Sequence, residues 1–157
     1  MSLPILAWKS KLRFPRNRRV RLVPAPAGIA SAGQHMMNYF NASVVHGGHL
    51  YGIHSLDHVP RNSTLRCIEL ATGQVKWDKE GVGLASVLLL GRRLLVLTDK
   101  GELVLADAAP AAYEELGRAK VLDGNCWTSP VPHDRRVYCR NCRGDIVCLD
   151  MAARQRQ

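Results

Sequence analysis

The side chains able to do chemistry in this 157-residue chain gather first around its cysteines. Cys139 and Cys142, followed by Cys148, with Cys126 and His133 upstream, invite comparison with a tetrahedral zinc site or a redox pair. Structural zinc takes four ligands, as two such pairs or as one pair with histidines, and a second pair is missing. On a strand, residues three apart point to opposite faces, so Cys139 and Cys142 meet one ion only if a bulge or turn intervenes. Cys142 and Cys148 are expected to flank a hairpin turn at Arg143-Gly144-Asp145, whose Gly and Asp suit a tight reversal. A cross-strand disulfide there fits an oxidising compartment, and buried reduced thiols are the plainer alternative. Five cysteines leave one unpaired in any disulfide scheme.

Histidines and carboxylates carry less. His46, His49, His54 and His58 crowd one region but straddle a turn, a strand and a loop without a metal-site spacing, and read as exposed turn or edge residues. There is no nucleophile elbow and no phosphate-binding glycine loop. No catalytic, cofactor-binding or metal-binding residue is therefore assigned, and an enzyme is the less favoured class.

The elements that would carry these groups are short strands. Leu65 to Trp77 reads as a strand, a Thr72-Gly73 reversal in which Gly73 is free to take positive φ, and a returning strand ending at Trp77. Val75 and Trp77 share one face of that strand, which places Trp77 to pack against a neighbouring unit. The pattern recurs: His49 to Ile53, Arg93 to Leu97 and Arg136 to Arg140 are similar strands, with Leu50, Leu94 and Val137 spaced by 44 and 43 residues. Each is followed by a strand closing on an acidic residue, Glu69, Asp107 or Asp150, which marks these three as repeat-structural positions. Ala108 to Leu116, with Pro110 near its start, is expected to form one short helical turn. A period in the low forties with several short strands matches a four-stranded propeller blade, since no blade can bury both faces alone.

Glu69 to Gly73 with Trp77, the Gly101 to Leu105 strand, Cys126-Trp127-Thr128-Ser129-Pro130, and Val137-Tyr138 through Gly144 to Asp150 resemble the β-propeller repeats related to pyrroloquinoline-quinone enzymes. Glu69 replaces the usual Asp, and one unit alone keeps both Thr-Gly and Trp. The resemblance implies an all-β fold, a partial propeller of about three four-stranded antiparallel blades in residues 43–157, behind an irregular basic segment, 1–42. Three blades fall short of the four to eight of closed propellers, so the expectation is a truncated gene product or one piece of a larger assembly. A curved all-β sandwich is the competing architecture. Most relatives carrying this tryptophan-docking motif resemble binding scaffolds, which implies a non-catalytic module of a larger exported propeller, with a protein or peptide partner and no cofactor. The alternative is the remnant of a quinone-dependent oxidoreductase with quinone and calcium. Such enzymes commonly carry an adjacent cysteine pair, which this chain lacks; Trp127 is expected in a strand before the third repeat.

Charge is unevenly placed within the net +9. Seven of the twenty-two basic residues lie between Lys9 and Arg21, no acidic residue precedes Asp57, and the remainder is about +2. Clustered Lys and Arg attract phosphate groups, but Pro15, Pro24 and Pro26 break any periodicity, and aromatics for base stacking are limited to Trp8 and Phe14. Nucleic acid is not the expected partner. Leu3 to Trp8 is too short for a secretory signal and precedes the charges, and no stretch reaches the length of a membrane span. The resemblance nonetheless implies a periplasmic or extracellular location, and open blade edges imply a capacity to self-associate.

Overall fold

The computed structural model describes residues 35–151, except 39, 57 and 58. The basic cluster at 9–21 lies outside the described residues. Eleven antiparallel strands form three sheets in chain order, with no α-helix among the described residues. The first blade comprises β1 (Val44–His46), β2 (His49–His54), β3 (Thr64–Glu69) and β4 (Val75–Glu80). The second comprises β5 (Ser86–Leu90), β6 (Arg93–Leu97), β7 (Glu102–Asp107) and β8 (Glu115–Lys120). The third comprises β9 (Val131–His133), β10 (Arg136–Arg140) and β11 (Ile146–Asp150). Each sheet is a meander, each strand pairing with its chain neighbour.

The strand alternation explains the stacking. In the second blade Leu94, Val96, Val104 and Ala106 join Tyr51, Ile53, Leu65 and Cys67 of the first blade in one core. Their neighbours Leu95, Leu97 and Leu103 join Val137 and Cys139 of the third blade in another. Both faces of the middle sheet are thus covered along β5, β6 and β7, so these strands read as largely apolar runs, whereas β10 alternates buried Val137 and Cys139 with exposed Arg136 and Arg140. The outermost strand β8 is exposed throughout. Its edge carries Glu115, Arg118 and Lys120, and charge on an edge opposes pairing with a foreign strand.

Equivalent hydrogen bonds repeat from blade to blade. Leu70 N–H donates to Gly48 O, Ala108 N–H to Arg92 O and Met151 N–H to Arg135 O, at 3.0, 3.0 and 2.9 Å. One step further in register a basic residue faces an acidic one: His49 opposite Glu69, Arg93 opposite Asp107, Arg136 opposite Asp150.

Several local expectations are corrected. Ala108 to Leu116 contains no helical turn; an extended connection leads into β8, and Asp107 N–H is satisfied by Glu114 O at 2.9 Å. The strand carrying Trp77 continues to Glu80, with a register shift between Cys67 and Ile68 that accommodates the turn. Cys142 does not flank the last hairpin turn but lies inside it, and it is exposed, while Cys148 faces Tyr138 across the β10–β11 pair. All five cysteines are free. His54 is buried rather than exposed, and Trp127 sits in the connection preceding β9, not in a strand.

Candidate functional site

The sequence-marked residues fall into two kinds of place. Glu69, Thr72 and Gly73 organise one turn: Gly73, at φ 75°, donates its N–H to Glu69 O at 2.8 Å, and the Thr72 hydroxyl donates to Glu69 Oε2 at 2.5 Å. That hydroxyl, with Lys76 and His49 nearby, holds the Glu69 carboxyl below its ordinary value. Asp107 accepts from Arg93 at 3.0 Å and from Arg92 at 3.2 Å. Gly101 and Gly144 close equivalent turns, donating to Thr98 O and Asn141 O. Each of these groups serves the geometry of its own blade.

Trp77 spans two blades. Its Nε1–H donates to Ala109 O of the second blade at 2.9 Å, and its ring lies between Tyr51 and Tyr113, at 5.9 and 5.7 Å between centroids. Tyr51 is fully buried, and its hydroxyl has no hydrogen-bond partner of ordinary geometry; the Cys67 thiol faces it across the strand pair. Burial pushes the Tyr51 phenol far up and the Cys67 thiol up to about 11, which leaves both neutral and unreactive. Trp127 lies half exposed and edge-on to Phe40, with centroids 6.4 Å apart. Tyr138 is half-buried on the outward side of β10.

These placements bear on a quinone and calcium. Among the described residues no three His, Cys, Asp or Glu side chains converge. Trp77 is fully engaged between blades, and Glu69, Asp107 and Asp150 stand in three separate blades.

A different group of residues lines a concavity. The β2–β3 connection, the β4–β5 crossover and the β6–β7 turn enclose a groove of about 520 Å³ between the first two blades. Arg61, Val82, Gly83, Asp99, Lys100 and Glu102 line it. Val82 supplies a buried apolar floor. Asp99 packs over Gly83, which sits at φ +63°. Desolvation raises the Asp99 carboxyl above its ordinary value, while Lys100 and the backbone N–H groups of residues 99 and 100 partly offset it. Glu102 is turned toward Arg118 at 2.9 Å. The groove lining therefore includes a desolvated carboxyl, Asp99, and two cations, Arg61 and Lys100. Such a site can receive the polar groups of an extended chain, a donor at Asp99 and an acceptor at either cation.

Comparison with known proteins reaches the fold. No protein-family model matches the chain, and no curated protein sequence does. Among solved structures it is similar to the computationally designed Ika8 protein, with a TM-score of 0.55 and 12% identity over 69% of this chain and 32% of that one. It is also similar to a europium-containing methanol dehydrogenase, with a TM-score of 0.52 and 15% identity over 69% of this chain and 22% of that one. The fold is propeller-like. At these identities the likeness extends to the stacking of four-stranded sheets and not to chemistry. The chain spans about a third of the designed protein and about a fifth of the dehydrogenase.

Proposed function

We propose that this chain is a non-catalytic binding module, a set of propeller blades within a larger exported propeller, that receives a protein or peptide partner. The observation carrying the reading is the groove itself, walled by three connections on a rigid stack of sheets. Loops held by such a scaffold are where propeller-like folds can differ without losing stability. The groove mixes an apolar floor with charges of both signs, the composition of a peptide-recognition cleft, and the reading requires no cofactor.

The test is selection of a displayed random-peptide library on the folded protein, followed by titration of the recovered peptides against wild type and an Arg61→Ala, Lys100→Ala variant. Loss of about tenfold or more in affinity, the scale expected when a central charged contact is removed, supports the groove. Recovery of no peptide, or unchanged affinity in the variant, overturns it.

A further inference from the structure

The fold decides which of the five thiols can approach one another. A disulfide needs its two Cα atoms within about 7 Å. Cys142 and Cys148, the pair that the last hairpin suggests, fail this condition. Cys148 lies opposite Tyr138, whereas Asn141, bonded to Asp145, is already three strand positions, about 10 Å, further on, and Cys142 lies beyond it. Cys126 and Cys142 meet the condition. Cys142 N–H donates to Asn125 O at 2.8 Å, and that bond, with the peptide geometry on either side of it, holds the Cα atoms of Cys126 and Cys142 to no more than about 7 Å.

The repeat places the same two positions in contact one blade earlier. Val131 faces Tyr138 as Leu88 faces Leu95. Counted from these pairs, Cys126 in the connection entering the third blade stands where Gly83 stands in the connection entering the second, and Cys142 stands where Asp99 does. A Cβ at Gly83 would lie 2.7 Å from Asp99 Cγ. In a disulfide the Cβ of one residue lies about 3 Å from the sulfur of the other, the atom that cysteine carries at its γ position. Further contacts hold the β8–β9 connection against the β10–β11 turn. Asn141 Nδ2 donates to Asp123 O at 2.8 Å, the Thr128 hydroxyl donates to Arg140 O at 3.5 Å, and a Cβ at Gly124 would meet Arg143 Nε at 3.6 Å. Cys126 is fully buried, with its Sγ in a weak contact to Gly124 O at 3.9 Å, and Cys142 is exposed.

We propose that Cys126 and Cys142 form a disulfide, which clamps the connection entering the third blade to the β10–β11 turn of that blade. The oxidant is a small-molecule disulfide such as oxidised glutathione. The Cys142 thiolate attacks one of its sulfurs, releases one thiol and keeps the other half as a mixed disulfide. Cys126 then loses its proton to solvent, attacks Cys142 Sγ and expels the second thiol. The protein gives up two electrons and two protons, and the small disulfide is reduced to two thiols. Burial, and secondarily the neighbouring Cys142, hold the Cys126 thiol above its ordinary value. Exchange therefore starts at exposed Cys142, and closure by Cys126 is the slower step. The bond closes a loop of about 15 residues, a constraint that acts mainly on the unfolded chain. It goes beyond the reading of the chain as a binding module, uses no side chain of the groove, and holds whether or not a peptide binds there.

The test is incubation of the full chain with oxidised glutathione, then alkylation of the remaining thiols in denaturant and peptide mapping by mass spectrometry. The expected product is a single chain joined through Cys126 and Cys142, with Cys67, Cys139 and Cys148 alkylated. Its thermal midpoint should exceed that of the reduced chain by about 10 °C, the scale for closing a loop of about 15 residues, and dithiothreitol should abolish the difference. Cys126→Ser should stop at glutathione held on Cys142, whereas Cys148→Ser should leave both the bond and the shift unchanged. A bond from Cys142 to Cys148, a bond from Cys126 to Cys139, linkage between chains alone, or glutathione on Cys142 with Cys126 still free in the unaltered chain overturns the proposal. So does an equal thermal midpoint in the two forms. Mapping of the unaltered chain decides the question even if Cys126→Ser, a change at a buried position, fails to fold.

Discussion

Gly83 lies directly beneath the Asp99 carboxylate, so close that any Cβ at position 83 would overlap Oδ1. The wall of the groove thus depends on the lack of a side chain in the crossover that joins the first two blades. At φ +63° an L-residue there is also strained. Gly83→Ala should cost about 2 to 3 kcal/mol and drive Asp99 out of its place. In an Asp99→Gly background the cost should fall toward that of the positive φ alone, because neighbouring sites that share a clash are non-additive. Urea unfolding of the two single variants and the double variant measures this coupling.

Trp77 ties the first blade to the second through its hydrogen bond to Ala109 O and its ring contact with Tyr113, and packs against Tyr51 within its own blade. Trp77→Phe keeps much of the ring surface and removes the donor to Ala109 O, so it should cost about 1 kcal/mol. Trp77→Ala also opens space beside Tyr51 and Tyr113 and should cost about 3 kcal/mol. If thermal unfolding shows the two variants to be alike, the ring contacts contribute nothing beyond the hydrogen bond.

His54 gives the fold a dependence on pH. Burial, and secondarily the Arg66 cation, hold its imidazole below the ordinary value of 6.5. Its Nδ1 accepts from Met37 N–H at 3.2 Å, which requires the nitrogen unprotonated. Below the unfolded value the unfolded chain binds a proton that the folded chain refuses. The stabilisation is therefore fully present above pH 6.5 and is lost as pH falls toward the folded value. The urea midpoint should drop between pH 7 and pH 5, and His54→Gln should flatten that slope. A slope unchanged in the variant would assign it to other groups.

The turn joining β9 to β10 places Asp134 and Arg135 at φ 45° and 63°, where the first blade uses Gly47 and Gly48. Left-handed backbone penalises a Cβ, and Asp tolerates it better than Arg. Arg135→Gly should stabilise the protein by about 0.5 to 1 kcal/mol, the strain relieved exceeding the added freedom of the unfolded chain. A lowered melting temperature would show that the Arg135 side chain makes a contact worth more than the strain.

Much of the strand framework was legible because the repeat imposes it. Arg93 to Leu97 and Arg136 to Arg140 emerge from periodicity with the bounds of β6 and β10. Ala108 to Leu116 misled because Glu and Ala suggest helix locally, while the β7 edge demands a partner and draws Glu115 and Leu116 into β8. The burial of His54 was invisible, since a histidine at a strand end looks the same whether or not a backbone N–H such as that of Met37 reaches it. The groove was illegible for a different reason. Arg61, Gly83 and Asp99 come from three connections, and only the stacking of two sheets brings them together. Asp99-Lys100-Gly101 by itself is an ordinary turn sequence.

The distribution of the five thiols has a consequence for how the stack comes apart. Cys67 is sealed in the contact between the first two blades, Cys126 and Cys139 in the contact between the second and third, while Cys142 and Cys148 stand in solvent. Burial raises Cys139 to about 11, as it does Cys67, so neither is modified while its contact is closed. Each seam between sheets thus carries its own intrinsic reporter. The order in which an alkylating reagent reaches Cys67 and Cys139 reads out whether the array parts at one seam before the other or dissolves as a single cooperative unit.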